Sequence, residues 1–158
     1  MTHTENRKAP ARAARHAQRG QALVELAVFV PFLMLVVVGL IDVGRYTYYS
    51  IQVNNAARAG AQYGAQNTTS ANSSTGITSA AVADVSTTPT PTVSASLFCV
   101  CANGTTHQSC SPTPTCTGSH SNTYIEVTTS ETIPVLFKFP GIPNSLTIGG
   151  ASVMRVNN

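Results

Sequence analysis

Apolar residues fall into two regimes along the chain. Residues 22–41 form an apolar run in which Glu25 is the one charge. As a helix this run is about 30 Å long, the thickness of a bilayer's hydrocarbon core. After residue 92 the pattern changes to period two, with Val93, Ala95, Leu97, Cys99 and Cys101 alternating with polar or bulkier neighbours. That alternation predicts a strand with one covered face.

Between these regimes the helical pattern continues, so one long helix is predicted over 21–66. Its second half mixes polar residues with Ala and Gly. Tyr46, Tyr48 and Tyr49 follow the apolar run, where aromatic rings settle at a membrane interface. Pro31 lies inside the run and removes one helical hydrogen bond, which predicts a kink. Asp42 and Arg45, three apart, are placed to pair on one face as the helix leaves the lipid.

Half of the residues from 67 to 96 are Ser or Thr, which reads as a linker over 67–92. Within it a short helix is predicted at 77–85, started by Thr75 or Gly76, with Ile77, Ala81 and Val85 on one side. The Thr/Pro run 87–92 predicts extended chain and has the composition of an O-glycosylated stalk. A second strand is predicted at 124–132, where Ile125 and Val127 share a face. Pro134, Pro140 and Pro143 limit residues 135–139 to a short edge strand. A last strand spans 146–148 and 151–156, with Gly149 and Gly150 as a bulge or turn. The fold class is therefore α+β. A long N-terminal transmembrane helix precedes a small, mostly antiparallel sheet domain at 93–158, with a cysteine-bearing loop at 99–116. No internal repeat is present.

Composition sharpens this picture. A chain of 158 residues suffices for one modest domain. Only 9% of residues are charged, against about a quarter in ordinary soluble domains. The net charge of +3 suggests a nucleic-acid ligand until the charges are located. Arg7, Lys8, Arg12, Arg15 and Arg19 all lie in the first twenty residues, against Glu5 alone. Beyond them Arg45, Arg58, Lys138 and Arg155 are outnumbered by Glu25, Asp42, Asp84, Glu126 and Glu131. No basic face remains to follow a phosphate backbone, so nucleic-acid binding is not expected. Residues 1–20 are instead a basic leader, disordered when alone. The excess of cations before the apolar run places the N-terminus in the cytoplasm and the chain after residue 41 outside.

Two features bear on packing. Ala56, Gly60 and Gly64 recur every four residues, as do Ala57, Ala61 and Ala65. Such seams admit a close backbone, either of another membrane helix or of the domain's own sheet. Cys99, Cys101, Cys110 and Cys116 all lie in the exported part, and an even number there predicts two disulfides. A bond between Cys99 and Cys101 closes a very small ring; two pairings avoid it. Zinc, with His107 and His120 as spare ligands, is the alternative, but the spacing does not match paired C-x-x-C clusters. No metal or cofactor is expected.

The most informative local feature is Gly20-Gln21-Ala22-Leu23-Val24-Glu25, between the leader and the apolar helix. A carboxylate near the start of a membrane helix is costly and needs a partner. Cleavage after Gly20 creates an α-amino group on Gln21, which is suited to pair with Glu25 of a neighbouring subunit. Gly20 suits an extended, exposed backbone that a protease can enter. The arrangement resembles type IV prepilins, in which Gly precedes the cut and Glu is fifth in the mature chain. Over a longer window, Arg19 to Glu25, Pro31, Gly39-Leu40-Ile41-Asp42-Val43-Gly44-Arg45 and Asn55-Ala56-Ala57-Arg58-Ala59-Gly60-Ala61 resemble the TadE-like family of the tight-adherence (Tad) pilus system. The C-terminal Ala151-Ser152-Val153-Met154-Arg155-Val156 is similar to how many such chains end.

The resemblance implies a pilin-like minor pilin or pseudopilin, processed after Gly20 by a prepilin peptidase. Such a protein helps assemble or initiate a pilus used in surface attachment. Its partners are then the membrane, the peptidase, other pilin-like subunits and the assembly platform. Its place is the cytoplasmic membrane, as a single-pass protein with the C-terminal domain outside, or a surface fibre. Leu26 follows the glutamate where the much shorter major pilins usually carry Tyr, which argues against the main fibre subunit. The insert from Cys99 to Cys116 is not a hallmark of the family. The alternative is a signal-anchored or secreted disulfide-bonded surface domain with no pilus role. A signal-peptide reading needs an h-region at 22–38, cleavage near Gly39 and Glu25 inside it. Catalysis is not expected: Asp84, Glu126 and Glu131 are isolated, and no Ser-His pair, Cys-His pair or phosphate loop has the required context.

Overall fold

The computed structural model describes the backbone of residues 12–19 and residues 20–83, 85–86, 88–136, 141 and 143–157 in full. The chain forms two units, Met1–Val43 and Gly44–Asn158. Helix α1 runs from Arg12 to Gly64 with Pro31 inside it. It begins earlier than the predicted residue 21, inside the leader expected to be disordered. The Ala, Arg and Gln residues of that stretch are strong helix formers, and an adjoining helix removes their nucleation cost. Arg7 and Lys8 lie outside the described residues.

Over residues 22–41 the helix is apolar except for Glu25, and exposed, with Leu23, Phe29, Phe32 and Leu40 each more than half accessible. From Gly20 onward α1 is long and apolar enough to cross a membrane. Side chains of this kind on every face have no aqueous role, and a lipid environment satisfies them.

In the second unit, α2 (Thr68–Ala71) and α3 (Ser74–Ala83) follow α1, and then β1 (Thr92–Cys101), β2 (Ser121–Pro134) and β3 (Ser145–Arg155). The strands make one antiparallel sheet in the order β1-β2-β3. The α+β class read from the sequence is the one observed. Helix α2 is an addition, capped by Asn67, whose Oδ1 accepts from the Ser70 N–H at 2.8 Å. Helix α3 starts ahead of Thr75 and Gly76, because the Ser73 Oγ accepts from the Gly76 N–H at 3.2 Å. It covers the core with Ile77 and Ala81. Asp84 and Thr87 lie outside the described residues.

Two expectations about strands change. Strand β2 passes through Pro134, and the described residues 135 and 136 lie outside any strand. The last partner of β2 on β1 is at Thr92↔Ser130, so residues 131–134 have a neighbour on one side only. Proline is tolerated at such a local edge. The rest of the expected 135–139 strand, with Pro140, lies outside the described residues. Gly149 and Gly150 make neither bulge nor turn. They pair in register with Ser130 and Thr129 inside an unbroken β3.

The reason for Gly150 is close approach. A Cβ there would lie 2.9 Å from the Val53 carbonyl oxygen and 3.0 Å from the Asn54 backbone of α1. Beside it the buried Thr129 hydroxyl donates to the same Val53 carbonyl at 2.7 Å. Helix and sheet therefore touch through backbone. One apolar cluster gathers Ala61, Ile77, Ile125, Val127 and Val156, and a smaller one Val53, Ile133 and Ile148 with Tyr49 at its margin. The chain end closes the domain, as the Asn157 N–H donates to the Ala65 carbonyl at 2.9 Å, where α1 has stopped.

Candidate functional site

Gly20, Gln21 and Glu25 all lie on α1 and are exposed. Gly20 is helical, so the expectation of an extended backbone at this residue is corrected. The residues around it favour helix. After proline, glycine is the residue least favourable to a helix interior. Glu25 stands on a stripe with Ala22, Leu26, Phe29 and Leu33, which line a shallow groove on the helix surface. A single carboxylate in an apolar stripe recognises a cation presented within the same low-dielectric layer.

Asp42, next to the last residue of the first unit, is half-buried. In the second unit Arg45 is also half-buried, its guanidinium carbon 5.9 Å from the centre of the Tyr49 ring. Tyr49 meets Tyr48 edge-on at 6.0 Å, and the Tyr48 hydroxyl lies 3.1 Å from Ser86 Oγ. Tyr48 and Tyr49 thus form a pair with a cation beside it.

Ala56, Gly60 and Gly64 are buried. Of the two readings of their seam, the structure adopts the domain's own sheet. A Cβ on Gly60 would meet Val127 at 3.1 Å and Ala81 and Ile77 at 3.3 Å, and one on Gly64 would meet Ile125 at 3.1 Å. Ala57 and Ala61 are likewise fully covered. The seam is spent inside the domain.

The cysteines form Cys99–Cys110 and Cys101–Cys116, with Cα separations of 5.1 and 5.6 Å. This is one of the two pairings that avoid the small ring. Neighbouring side chains on β1 tether both parts of the returning loop, and Cys99 also exchanges two backbone hydrogen bonds with Gln108. His107, considered above as a metal ligand, instead stacks on Phe98 at 4.1 Å. Phe98 stacks in turn on Tyr124 at 5.5 Å. This row escaped sequence reasoning because it joins a loop to two strands. The available signal was that Phe98 and Tyr124 occupy the outward positions of the alternation. Glu131, read as an isolated acid, is buried beside Thr129 and Ile133 on the helix-facing side of β2.

The N-terminal half of this arrangement has a counterpart among known families. Residues 20–62 match the model of the TadE-like protein family. Over this segment the chain is similar to that family. No curated protein and no solved structure matches. The TadE-like segment contains Gly20, Glu25, Asp42, Arg45, Ala56 and Gly60, and ends just before Gly64. It therefore takes in the exposed apolar helix and the part of α1 that packs on the sheet, but neither the sheet nor the disulfide-bonded loop.

Proposed function

We propose that the protein is a minor pilin or pseudopilin of a Tad-type pilus, inserted in the membrane and processed by a prepilin peptidase after Gly20. The TadE-like match suggests a structural component of that pilus system, and the apolar helix suggests a membrane anchor. The observation that carries the finer reading is the place of Glu25, fifth after Gly20 on an exposed, otherwise apolar helix. After cleavage the α-amino group of Gln21 pairs with Glu25 of an adjacent subunit, and the neutralised helices pack side by side in lipid or in a fibre. The cationic leader holds the N-terminus in the cytoplasm, and the disulfide-bonded sheet lies outside. The role is assembly or initiation, not catalysis.

The mature N-terminus tests this. In protein recovered from cell membranes, mass spectrometry should find Gln21 as the first residue. A start near Leu40 would instead indicate secretion through an ordinary signal peptide. An uncut leader would indicate a plain signal anchor.

A further inference from the structure

Helix α1 and strand β2 run in opposite directions through the second unit. Gly64 faces Ile125, Gly60 faces Val127, and the Val53 carbonyl accepts from the Thr129 hydroxyl. Farther along β2, Ile133 packs with Val53 and Ile148, with Tyr49 at their margin. The sheet therefore descends toward the first turns of α1 in this unit. Past Ile133 it ends at Pro134, paired with Ser145, and the Val135 N–H donates to the Asn144 carbonyl at 3.1 Å. Leu136 and Leu146, at this end, are 50% and 43% exposed. Among the described residues of the unit, the exposed large apolar side chains are Tyr46, Tyr48, Ile51, Leu136, Leu146 and Val153. All but Val153 lie at the end where α1 enters. The residues between Leu136 and Leu146 add three large apolar side chains and one charge. At the opposite end the loop residues 103–109 are exposed and carry no large aliphatic side chain.

We infer that this end of the sheet is a foot that rests in the headgroup layer of the bilayer, with Leu136 and Leu146 against lipid. It rests on the reading of residues 22–41 as membrane-spanning and is independent of cleavage after Gly20. The apolar run ends at Ile41, and Tyr49 follows it by about 12 Å of helix, beyond the headgroup layer. Leu136, three residues past Ile133, extends up to about 10 Å farther along the descending chain, enough to return to that layer. Tyrosines with a cation beside them, as Tyr48 and Tyr49 have in Arg45, match the composition of an interfacial belt. Apolar side chains exposed singly on a domain are ordinary. Here they share the end that α1 tethers to the bilayer, and lipid removes from water what the sheet leaves uncovered. A second copy covers the same residues only within an assembly, whereas nearness to lipid is built into each chain. A lone spanning helix can tilt, and a second point of contact fixes the orientation of the sheet over the membrane.

The test uses the full chain, its disulfides formed, in phosphatidylcholine nanodiscs holding one chain each. An environment-sensitive fluorophore is attached through Leu33→Cys, Ser145→Cys or Gln62→Cys, one at a time. It is quenched by phosphatidylcholine spin-labelled either at the headgroup or deep in the acyl chain. Leu33, in the apolar run, should be quenched by the deep label. Ser145, beside Leu146 and opposite Pro134, should be quenched by the headgroup label, with blue-shifted emission. Gln62, exposed near the far end of α1, should be quenched by neither. In Leu136→Glu/Leu146→Glu the quenching at Ser145 should fall to that at Gln62, with Leu33 unchanged. Disulfide mapping and melting check that this variant folds; if it does not, Ser145 against Gln62 in the otherwise unaltered chain decides. Quenching at Leu33 with none at Ser145 would overturn the inference and leave the membrane span standing. No quenching at Leu33 would overturn both. Unchanged quenching at Ser145 in the folded double variant would overturn the inference too. So would a blue shift at Ser145 that needs two chains in one disc and no lipid contact, which would make this end an interface between copies.

Discussion

Val53 and Gly150 meet backbone to backbone, with room for no side chain at residue 150. This contact sets how deeply α1 beds into its sheet, and the Thr129 hydroxyl fixes its register by bonding the Val53 carbonyl. Replacing Gly150 by Ala would push a methyl group into a peptide unit of α1, and neither backbone can yield alone. Gly150→Ala is expected to destabilise the sheet domain by about 1–3 kcal/mol, the usual range for overpacking. Gly149→Ala, whose Cβ would sit 3.8 Å from the nearest atom, is the matched control. Calorimetric melting of the two variants in nanodiscs measures the difference; equal melting temperatures would refute this account of Gly150.

Thr129→Val keeps the shape of the side chain and removes the hydroxyl. The Val53 carbonyl then loses one donor in a buried place. A loss of about 1 kcal/mol is expected, with no change in disulfide pattern. Amide exchange of residues 53–57 should accelerate more than that of α3.

Ile77 carries α3 onto the core and is 1% exposed, whereas Ile41 is half exposed on the apolar helix. Ile77→Ala should cost about 2–5 kcal/mol by transfer and cavity terms. Ile41→Ala should leave melting of the sheet domain unchanged, since Ile41 is half exposed and outside the core. Comparable effects of the two would mean that the apolar helix is packed against protein.

Protein from the membrane, taken under thiol-blocking conditions, should have a mass four units below its reduced form, from the four hydrogens lost in two disulfides. Proteolytic mapping should link Cys99 to Cys110 and Cys101 to Cys116. Removing the second bond with Cys101→Ser/Cys116→Ser frees a loop of sequence separation 15, for which chain entropy gives about 3 kcal/mol. Blocked thiols at all four positions would refute the pairing.

Glu25→Ala should raise the apolarity of the helix and leave insertion intact, while abolishing recovery of the protein in sheared surface fibres or with its assembly partners. Glu25→Gln should behave in the same way if charge, rather than hydrogen bonding, holds the neighbouring α-amino group. Normal incorporation of both variants would remove that role from Glu25.

The long helix, the strand alternation and the cysteine count were legible because each rests on a local period or a local chemical rule. Residues 22–41 can only be apolar all round, and Ile125 and Val127 can only share a face. Gly149 and Gly150 were misread for the opposite reason. Locally two glycines weaken a strand, and nothing near them in the chain signals that α1 lies within contact of Gly150. The small-residue seam was ambiguous on the same ground. Ala56, Gly60 and Gly64 announce a close neighbour but do not name it.

The sequence by itself determined the membrane-type helix, its basic leader, the Gly20–Glu25 spacing and the α+β order of elements. These follow from hydropathy, charge and spacing within short windows. Only the tertiary structure decided that the seam is filled by the domain's own sheet, which cysteines join, and that Phe98, Tyr124 and His107 stack in a row. Those outcomes depend on the register between strands and on the depth at which α1 meets Gly150. Register and depth are set by contacts between residues far apart in the chain, where no local pattern reaches.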